Sequence, residues 1–338
     1  MDSITHIVFG AVTGSAIAGK KLGKKAMLWG AIANSIPDID VVTGFWMNDP
    51  DATMAHRGFT HSILFAFLCS SLLSWLFTKY HRNKSMQFRN WMAIFLSGLL
   101  FHITIDSMTT YGTGLLEPFS HVRVSFNTIF VADPFFTISL LISAVALLVI
   151  RATSAYRFFW IRFGLICSSA YLLYTFINKF EVNSLFKEFF ASKNISTQMY
   201  FCSPAPLNNW LWMGMAKDHD SIYACYYSVF DKTPISVLQA APVNDFLLNG
   251  IRTHPSVKKV LDLSQGYYSV NEQNDTLIFS DARFGLLNGW QHKEEPPLFV
   301  FRFDIIRKKN DSLHVQQSIM PPINGKAFDV LIKRIKGE

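Results

Sequence analysis

Long apolar runs alternate with short polar stretches through the first half of the chain. A helix needs about 20 apolar residues to cross a bilayer. The runs that approach this length are residues 59–78, 91–109, 137–150 and 158–177. Two shorter apolar runs, 4–19 and 26–36, come before them. The pattern therefore predicts four membrane-spanning helices preceded by two shorter helices.

The pattern changes after residue 178 to short runs bounded by Asn, Asp, Gly and Pro, which is typical of strands and turns. Roughly 160 residues remain, enough to bury a separate core. The predicted fold class is a multi-pass α-helical membrane domain, residues 1–178, followed by a soluble α+β or mostly β domain, residues 179–338. The strands are predicted at residues 222–230, 267–270, 276–280 and 298–305.

Composition supports a membrane protein. The chain is 50% hydrophobic and only 16% charged, with a mean hydropathy of +0.22, which argues against an ordinary soluble protein. Its net charge of +7 does not indicate nucleic-acid binding, because the basic residues of the first half cluster between apolar runs. Such clusters mark the cytoplasmic side of a membrane.

Three basic clusters set the predicted orientation: residues 20–25, 79–89 and 151–162. If these are cytoplasmic, residues 37–61 and 107–134 lie on the outer side, with everything after residue 178. We therefore expect a multi-pass inner-membrane protein whose C-terminal domain is extracytoplasmic. In an oxidising compartment Cys202 and Cys225 would be able to form a disulfide, which we predict on that condition.

Metal-binding side chains are concentrated on the predicted outer side of the membrane half. His102 and Asp106 are four residues apart on a predicted helix, so they share a face. Asp38 and Asp40 are alternate residues of a turn or extended segment. Buried ionisable groups near a bilayer are costly unless they are paired or bind an ion. The predicted ligands are His6, Asp38, Asp40, His56, His61, His102 and Asp106.

Each of these residues also has a structural interpretation. A single histidine in a membrane is about as often a hydrogen-bonded structural residue as a ligand, and an aspartate at a helix end is often a cap. Arg57, between two of the histidines, is a candidate clamp for a phosphate or oxyanion. An ion pair of Arg57 with Asp38 or Asp40 is the comparable alternative.

Several motifs together resemble one family: Thr5-His6 with Gly10, residues 37–40, residues 56–62, His102 with Asp106, and residues 111–113 and 118–120. The chain resembles the YdjM-like family of inner-membrane proteins, which are considered metal-dependent hydrolases. That resemblance implies a divalent-metal site built on the seven residues. A more distant similarity to zinc-dependent phospholipase C, in the order of His and Asp residues, implies zinc and a phosphate-ester or lipid-linked substrate.

The expected activity is therefore a membrane-bound, metal-dependent hydrolase. Asp40, or Asp38 if Asp40 is committed to metal, is the expected general base, and Arg57 is expected to stabilise developing charge. The alternatives are a non-catalytic, metal-stabilised scaffold and a transporter. A transporter of this kind is expected to carry inverted repeats, which the sequence does not show.

Overall fold

The structure is a computed structural model, and it describes residues 1–81, 85–235, 237–287, 289–290, 298–307, 312–320 and 325–338. The chain folds into two compact units that are not consecutive stretches. The first unit comprises Met1–Val42, Ala55–Phe176 and Pro206–Asn208. The second comprises Thr43–Met54, Ile177–Ala205 and Asn209–Glu338.

The N-terminal part of the chain is helical. Its α-helices are α1 (Ser3–Leu22), α2 (Lys25–Ala33), α3 (Asp49–Ala55), α4 (Ile63–Tyr80), α5 (Phe88–Ser107), α6 (Pro134–Val149) and α7 (Tyr156–Ser192). Two 3₁₀ helices, Pro37–Phe45 and Phe59–His61, lie between them. Among the described residues, α4, α5 and α7 are long and apolar enough to cross a membrane, and α6 is a shorter apolar helix.

Helices α1 and α2 pack closely because glycines line their interface. A Cβ atom on Gly30 would lie 2.1 Å from the carbonyl oxygen of Gly10 and 2.7 Å from the Cα of Gly14. At the end of α2, the Asn34 side-chain amide donates a hydrogen bond of 2.6 Å to the carbonyl oxygen of His6. This close packing sets the end of α2 beside the first turns of α1, where His6 lies.

The second unit contains two antiparallel four-stranded sheets, each with its strands in sequence order. A single apolar core includes Met213 from the first sheet, Phe303 from the second and Val260 from helix α8. The predicted fold class, a helical membrane domain followed by a domain rich in β-structure, is confirmed. The elements are β1 (Met199–Pro204), β2 (Leu211–Asp218), β3 (Ser221–Ser228), β4 (Gln239–Pro242), α8 (Pro255–Ser264), β5 (Tyr268–Gln273), β6 (Thr276–Leu286), β7 (Phe299–Arg307), β8 (Leu313–Gln317) and α9 (Gly325–Ile335).

The predicted disulfide between Cys202 and Cys225 is wrong. Cys202 of β1 pairs with Gly214 of β2, and Gly214 pairs in turn with Cys225 of β3. One whole strand therefore separates the cysteines, which puts their Cα atoms about 9.5 Å apart. A disulfide requires less than about 7 Å, and both thiols are free.

Replacing Gly30 by alanine should destabilise the helical unit by about 1–3 kcal/mol, because the added methyl group meets the backbone of α1. The free energy of unfolding in detergent would measure this cost. Gly44→Ala is the matched control, since nothing lies within 4 Å of a Cβ atom there; its effect should stay within about 0.5 kcal/mol. Equal stability of the two variants would contradict the close helix packing.

Candidate metal centre

Four elements of the first unit bring the predicted ligands together. The 3₁₀ helix Pro37–Phe45 carries Asp38 and Asp40, and the 3₁₀ helix Phe59–His61 ends at His61. Ser62 then caps α4 by accepting a hydrogen bond from the Phe65 amide, which fixes His61 at the start of that helix. The last turns of α5 supply His102 and Asp106, and α1 supplies His6.

Four ligand atoms form a compact, buried group: Asp38 Oδ1, His61 Nε2, His102 Nε2 and Asp106 Oδ2. His61 Nε2 lies 3.6 Å from Asp38 Oδ1 and 3.4 Å from Asp106 Oδ2. His102 Nε2 lies 3.4 Å and 3.5 Å from the same two oxygens. A tetrahedral metal ion bound at 2.0–2.2 Å separates its ligands by about 3.3–3.6 Å. These four separations between imidazole nitrogen and carboxylate oxygen therefore fit one tetrahedral ion.

The hydrogen bonds of the two histidines explain why this group needs a cation. His102 Nδ1 lies 2.6 Å from the carbonyl oxygen of Asn34, which can only accept, so this nitrogen carries the hydrogen. His61 Nδ1 lies 3.1 Å from Thr60 Oγ1, whose own hydrogen is donated to Asp40, and 3.2 Å from Asp40 Oδ2, so this nitrogen also carries its hydrogen. The two Nε2 atoms then face each other at 3.0 Å. Two lone pairs at that distance repel each other, so a proton or a metal ion must lie between them.

Asp40 is buried and holds this arrangement in place. Its Oδ1 accepts a hydrogen bond of 2.8 Å from His56 Nδ1. Its Oδ2 accepts from the backbone amide of Arg57 at 3.0 Å and from the Thr60 hydroxyl at 2.7 Å. A carboxylate that fixes the tautomer of a metal-binding histidine is a common outer-shell partner of a metal site. Asp40 is thus committed to orienting His56 and His61.

Asp106 is fully buried, and three nitrogen-bearing groups contact its carboxylate. Arg57 Nε lies 3.0 Å from its Oδ2, and the Met1 amino group and His6 Nε2 contact its Oδ1. Asp106 Oδ2 has no aligned hydrogen bond, so it is available as a ligand. Arg57 therefore forms its ion pair with Asp106. The sequence offered Asp38 or Asp40 as the partner, and neither carboxylate pairs with the Arg57 guanidinium.

His6 lies beside the four-atom group and is not a member of it. Its Nε2 is 3.1 Å from Asp106 Oδ1, and its ring stacks on that of His102 with the centroids 3.8 Å apart. It orients two ligands from this position. Arg57 adopts a left-handed backbone conformation with φ of 59°, which is unusual for a residue with a side chain. The hydrogen bond from its backbone amide to Asp40 and the contact of its guanidinium with Asp106 hold it in this conformation.

The carboxylates dominate the electrostatics of the site. Burial alone would lower the pKa of His61, but Asp106, Asp38 and Asp40 together raise it to about 9. Burial works to raise the pKa of Asp38, yet the facing imidazoles of His102 and His61 hold it well below its usual range. The site therefore attracts positive charge strongly, whether as protons or as metal ions.

A second group of ligand atoms overlaps the first. Asp38, Asp40 and His56 offer atoms that all lie within 4.8 Å of one another. Asp38 belongs to both groups, and its side chain is 24% exposed, while those of His61, His102 and Asp106 are fully buried. The side chain of His56 is 28% exposed. The cluster is therefore open on the side of Asp38 and His56.

Some supporting residues gave no signal in the sequence. Asn34 acts through its backbone carbonyl, which residue identity does not reveal. Thr109 accepts a hydrogen bond of 2.7 Å from Arg57 Nη1. Arg123 donates two hydrogen bonds of 3.1 Å to the carbonyl oxygen of His56 and lies over the Tyr111 ring. These contacts join positions many residues apart, so spacing along the chain could not predict them.

Comparisons with known proteins identify an inner-membrane protein family. The family model described as YdjM inner membrane protein matches residues 1–182. Inner membrane protein YbcI of Escherichia coli (strain K12) is 32% identical over 122 residues, which are 36% of this chain and 69% of YbcI. Uncharacterized protein YfhP of Bacillus subtilis (strain 168) is 32% identical over 147 residues, 41% of this chain and 44% of YfhP. No solved structure matches the chain.

Binding of a divalent metal ion should tighten as the pH rises towards about 9. The pKa of His61 is raised to about 9, so below that pH a metal ion must displace a proton from the imidazole. One displaced proton changes the affinity by up to about tenfold per pH unit. Competition with a chelator of known affinity, repeated across pH, measures this slope. Affinity that is constant between about pH 7 and pH 9 would contradict a protonated His61.

Replacing Asp40 by asparagine should weaken metal-ion binding by about 10- to 100-fold, because His56 and His61 lose the carboxylate that orients them. The chelator competition also measures this change. Glu117→Gln is a suitable control: it removes a carboxylate of the same unit that pairs with the exposed His121. Its metal affinity should stay within about twofold of that of the unaltered protein.

Proposed function

The chain belongs to the YdjM inner membrane protein family, and we propose that it is a membrane-bound, metal-dependent hydrolase acting on a phosphate ester of a lipid or lipid-linked molecule. The observation that carries this proposal is the cluster of two imidazoles and two carboxylates, spaced for one ion and open on one side. We place the site and the C-terminal domain at the outer face of the inner membrane.

Zinc is the ion that this donor set suits best. Imidazole nitrogen and carboxylate oxygen are ordinary zinc ligands, and four of them in a tetrahedral arrangement are typical of zinc. The fully buried His61, His102 and Asp106 would hold it, and Asp38, the one exposed member of the group, would be the ligand that gives way to a water molecule. When bound, the ion would supply Lewis acidity and lower the pKa of a water molecule towards neutrality.

The residues on the open side have the access that proton transfer needs. The hydrogen bond to Asp40 fixes a hydrogen on His56 Nδ1. The imidazole is 28% exposed, and its Nε2 is left to accept or donate a proton. We assign proton transfer to His56. Asp38 is the carboxylate that faces the substrate. Asp40 and Arg57, the residues expected from the sequence to be catalytic, act here by positioning: Asp40 orients two imidazoles, and Arg57 balances the charge of Asp106.

The surroundings of the site favour a substrate with an apolar part. The elements that carry or support the ligands expose large apolar side chains: Ile39, Phe59, Leu116, Phe119 and Val122. Phe119 is 83% exposed. Exposed apolar side chains near basic groups are typical of segments at a lipid headgroup region, and Arg123 lies in the same part of the unit. A lipid phosphate ester offers both chemistries.

A metal-stabilised scaffold is the second candidate function, and one observation favours it. Arg57 and Asp40 are both buried and occupied by contacts within the protein. A scaffold would bind zinc and lose stability without it, but it would hydrolyse nothing.

Zinc-loaded protein in vesicles of phosphatidylglycerol and phosphatidylethanolamine should release water-soluble phosphorus compounds, which phosphorus NMR detects. His102→Ala should lower the rate by at least about 100-fold, since the loss of a ligand empties the site. His121→Ala is the control, because His121 is exposed and pairs only with Glu117 among its described contacts. Full zinc occupancy without hydrolysis of phosphate esters would favour the scaffold.

A further inference from the structure

Residues 43–54 join the two ligand-bearing motifs, yet they belong to the second unit. This linking segment, Thr43–Met54, is part of that unit, whereas the residues on either side of it are part of the first. The 3₁₀ helix Pro37–Phe45 carries Asp38 and Asp40 before it runs into the linking segment. Helix α3, which forms the end of the segment, stops at Ala55, immediately before His56.

Three contacts of different chemistry hold the linking segment within the second unit. Asp51 forms an ion pair with Lys259 of α8. Asp49 Oδ2 accepts a hydrogen bond of 2.6 Å from the backbone amide of Gln317, at the end of β8. Met54 packs against the apolar core shared by both sheets. The segment is therefore anchored at several points along α3.

The residues that flank the linking segment are also joined to each other. Asp40 precedes it and His56 follows it, and their side chains are joined by a hydrogen bond of 2.8 Å. A loop that is closed at its base and held in its middle has few conformations available. Ligands at the ends of such a loop lose little further freedom when they bind an ion, and binding is stronger for that reason.

We propose that the C-terminal domain positions the metal site by holding residues 43–54, with Asp49, Asp51, Met54 and Lys259 as positioning residues. This inference rests on the proposed function in that it takes Asp38 as a metal ligand and Asp40 and His56 as its supporting residues. The domain would thereby reduce the disorder of the motifs on both sides of the segment, 37–42 and 55–62.

The Asp51–Lys259 pair allows a charge-exchange test. Asp51→Lys and Lys259→Asp each place like charges together, so each should weaken zinc binding by about 3- to 10-fold. The double variant restores an opposite pair and should return to within about twofold of the original affinity. Arg252→Asp is the matched control, because it breaks a comparable exposed ion pair with Asp245 in the same unit and leaves the linking segment unchanged.

Hydrogen exchange of the peptides covering 37–42 and 55–62 gives a second readout that needs no metal. Exchange should be faster in both single variants and normal in the double variant and the control. Unchanged exchange and unchanged zinc affinity in the single variants would overturn the positioning role. If the unaltered protein binds no zinc, the proposed function fails, and hydrogen exchange alone decides the positioning role. Asp51→Asn, which removes the charge without repulsion, provides the same test if a reversed variant does not fold.

Discussion

Two imidazole nitrogens facing each other at 3.0 Å inside a helical bundle are the constraint on which the helical unit depends. Their other ring nitrogens donate to the carbonyl oxygen of Asn34 and to the hydroxyl oxygen of Thr60, so neither ring can turn away without losing a buried hydrogen bond. Only a cation relieves the repulsion. The glycine contacts of α1 and α2 serve the same end, because they bring Asn34 to the level of the site.

Sequence reasoning identified the ligand types because ionisable side chains are rare in an apolar background and expensive to bury there. The i, i+4 spacing of His102 and Asp106 was enough to place both on one face of α5. The roles of the other residues were not predictable in this way. The partner of Arg57 proved to be Asp106, 49 residues away, and residue spacing carries no information about such a contact. The roles of the predicted metal and catalytic residues stay predictions.

In the β-rich domain, too, the sequence predicted only part of the structure. The prediction at residues 222–230 corresponds to β3, at Ser221–Ser228, because this stretch is rich in aromatic and β-branched residues. Strand β2 was not predicted, since Met213, Gly214 and Met215 have little preference for strands. The disulfide prediction failed for a related reason: the residues between the two cysteines contain an entire strand, and only the sheet order reveals that it lies between them.

The family match covers only part of the chain, and the candidate metal site and the β-rich domain differ in whether they lie within it. It covers residues 1–182, which include the whole metal cluster and the Arg57 and Asp106 pair, whereas strands β1 to β8 lie beyond it. The contacts of Asp51 with Lys259 and of Asp49 with Gln317 both reach into that later region. The candidate ligands therefore lie within the matched residues, whereas the contacts that hold residues 43–54 involve residues outside the match. A change in the β-rich domain would accordingly alter the order of the ligand motifs while leaving every ligand in place.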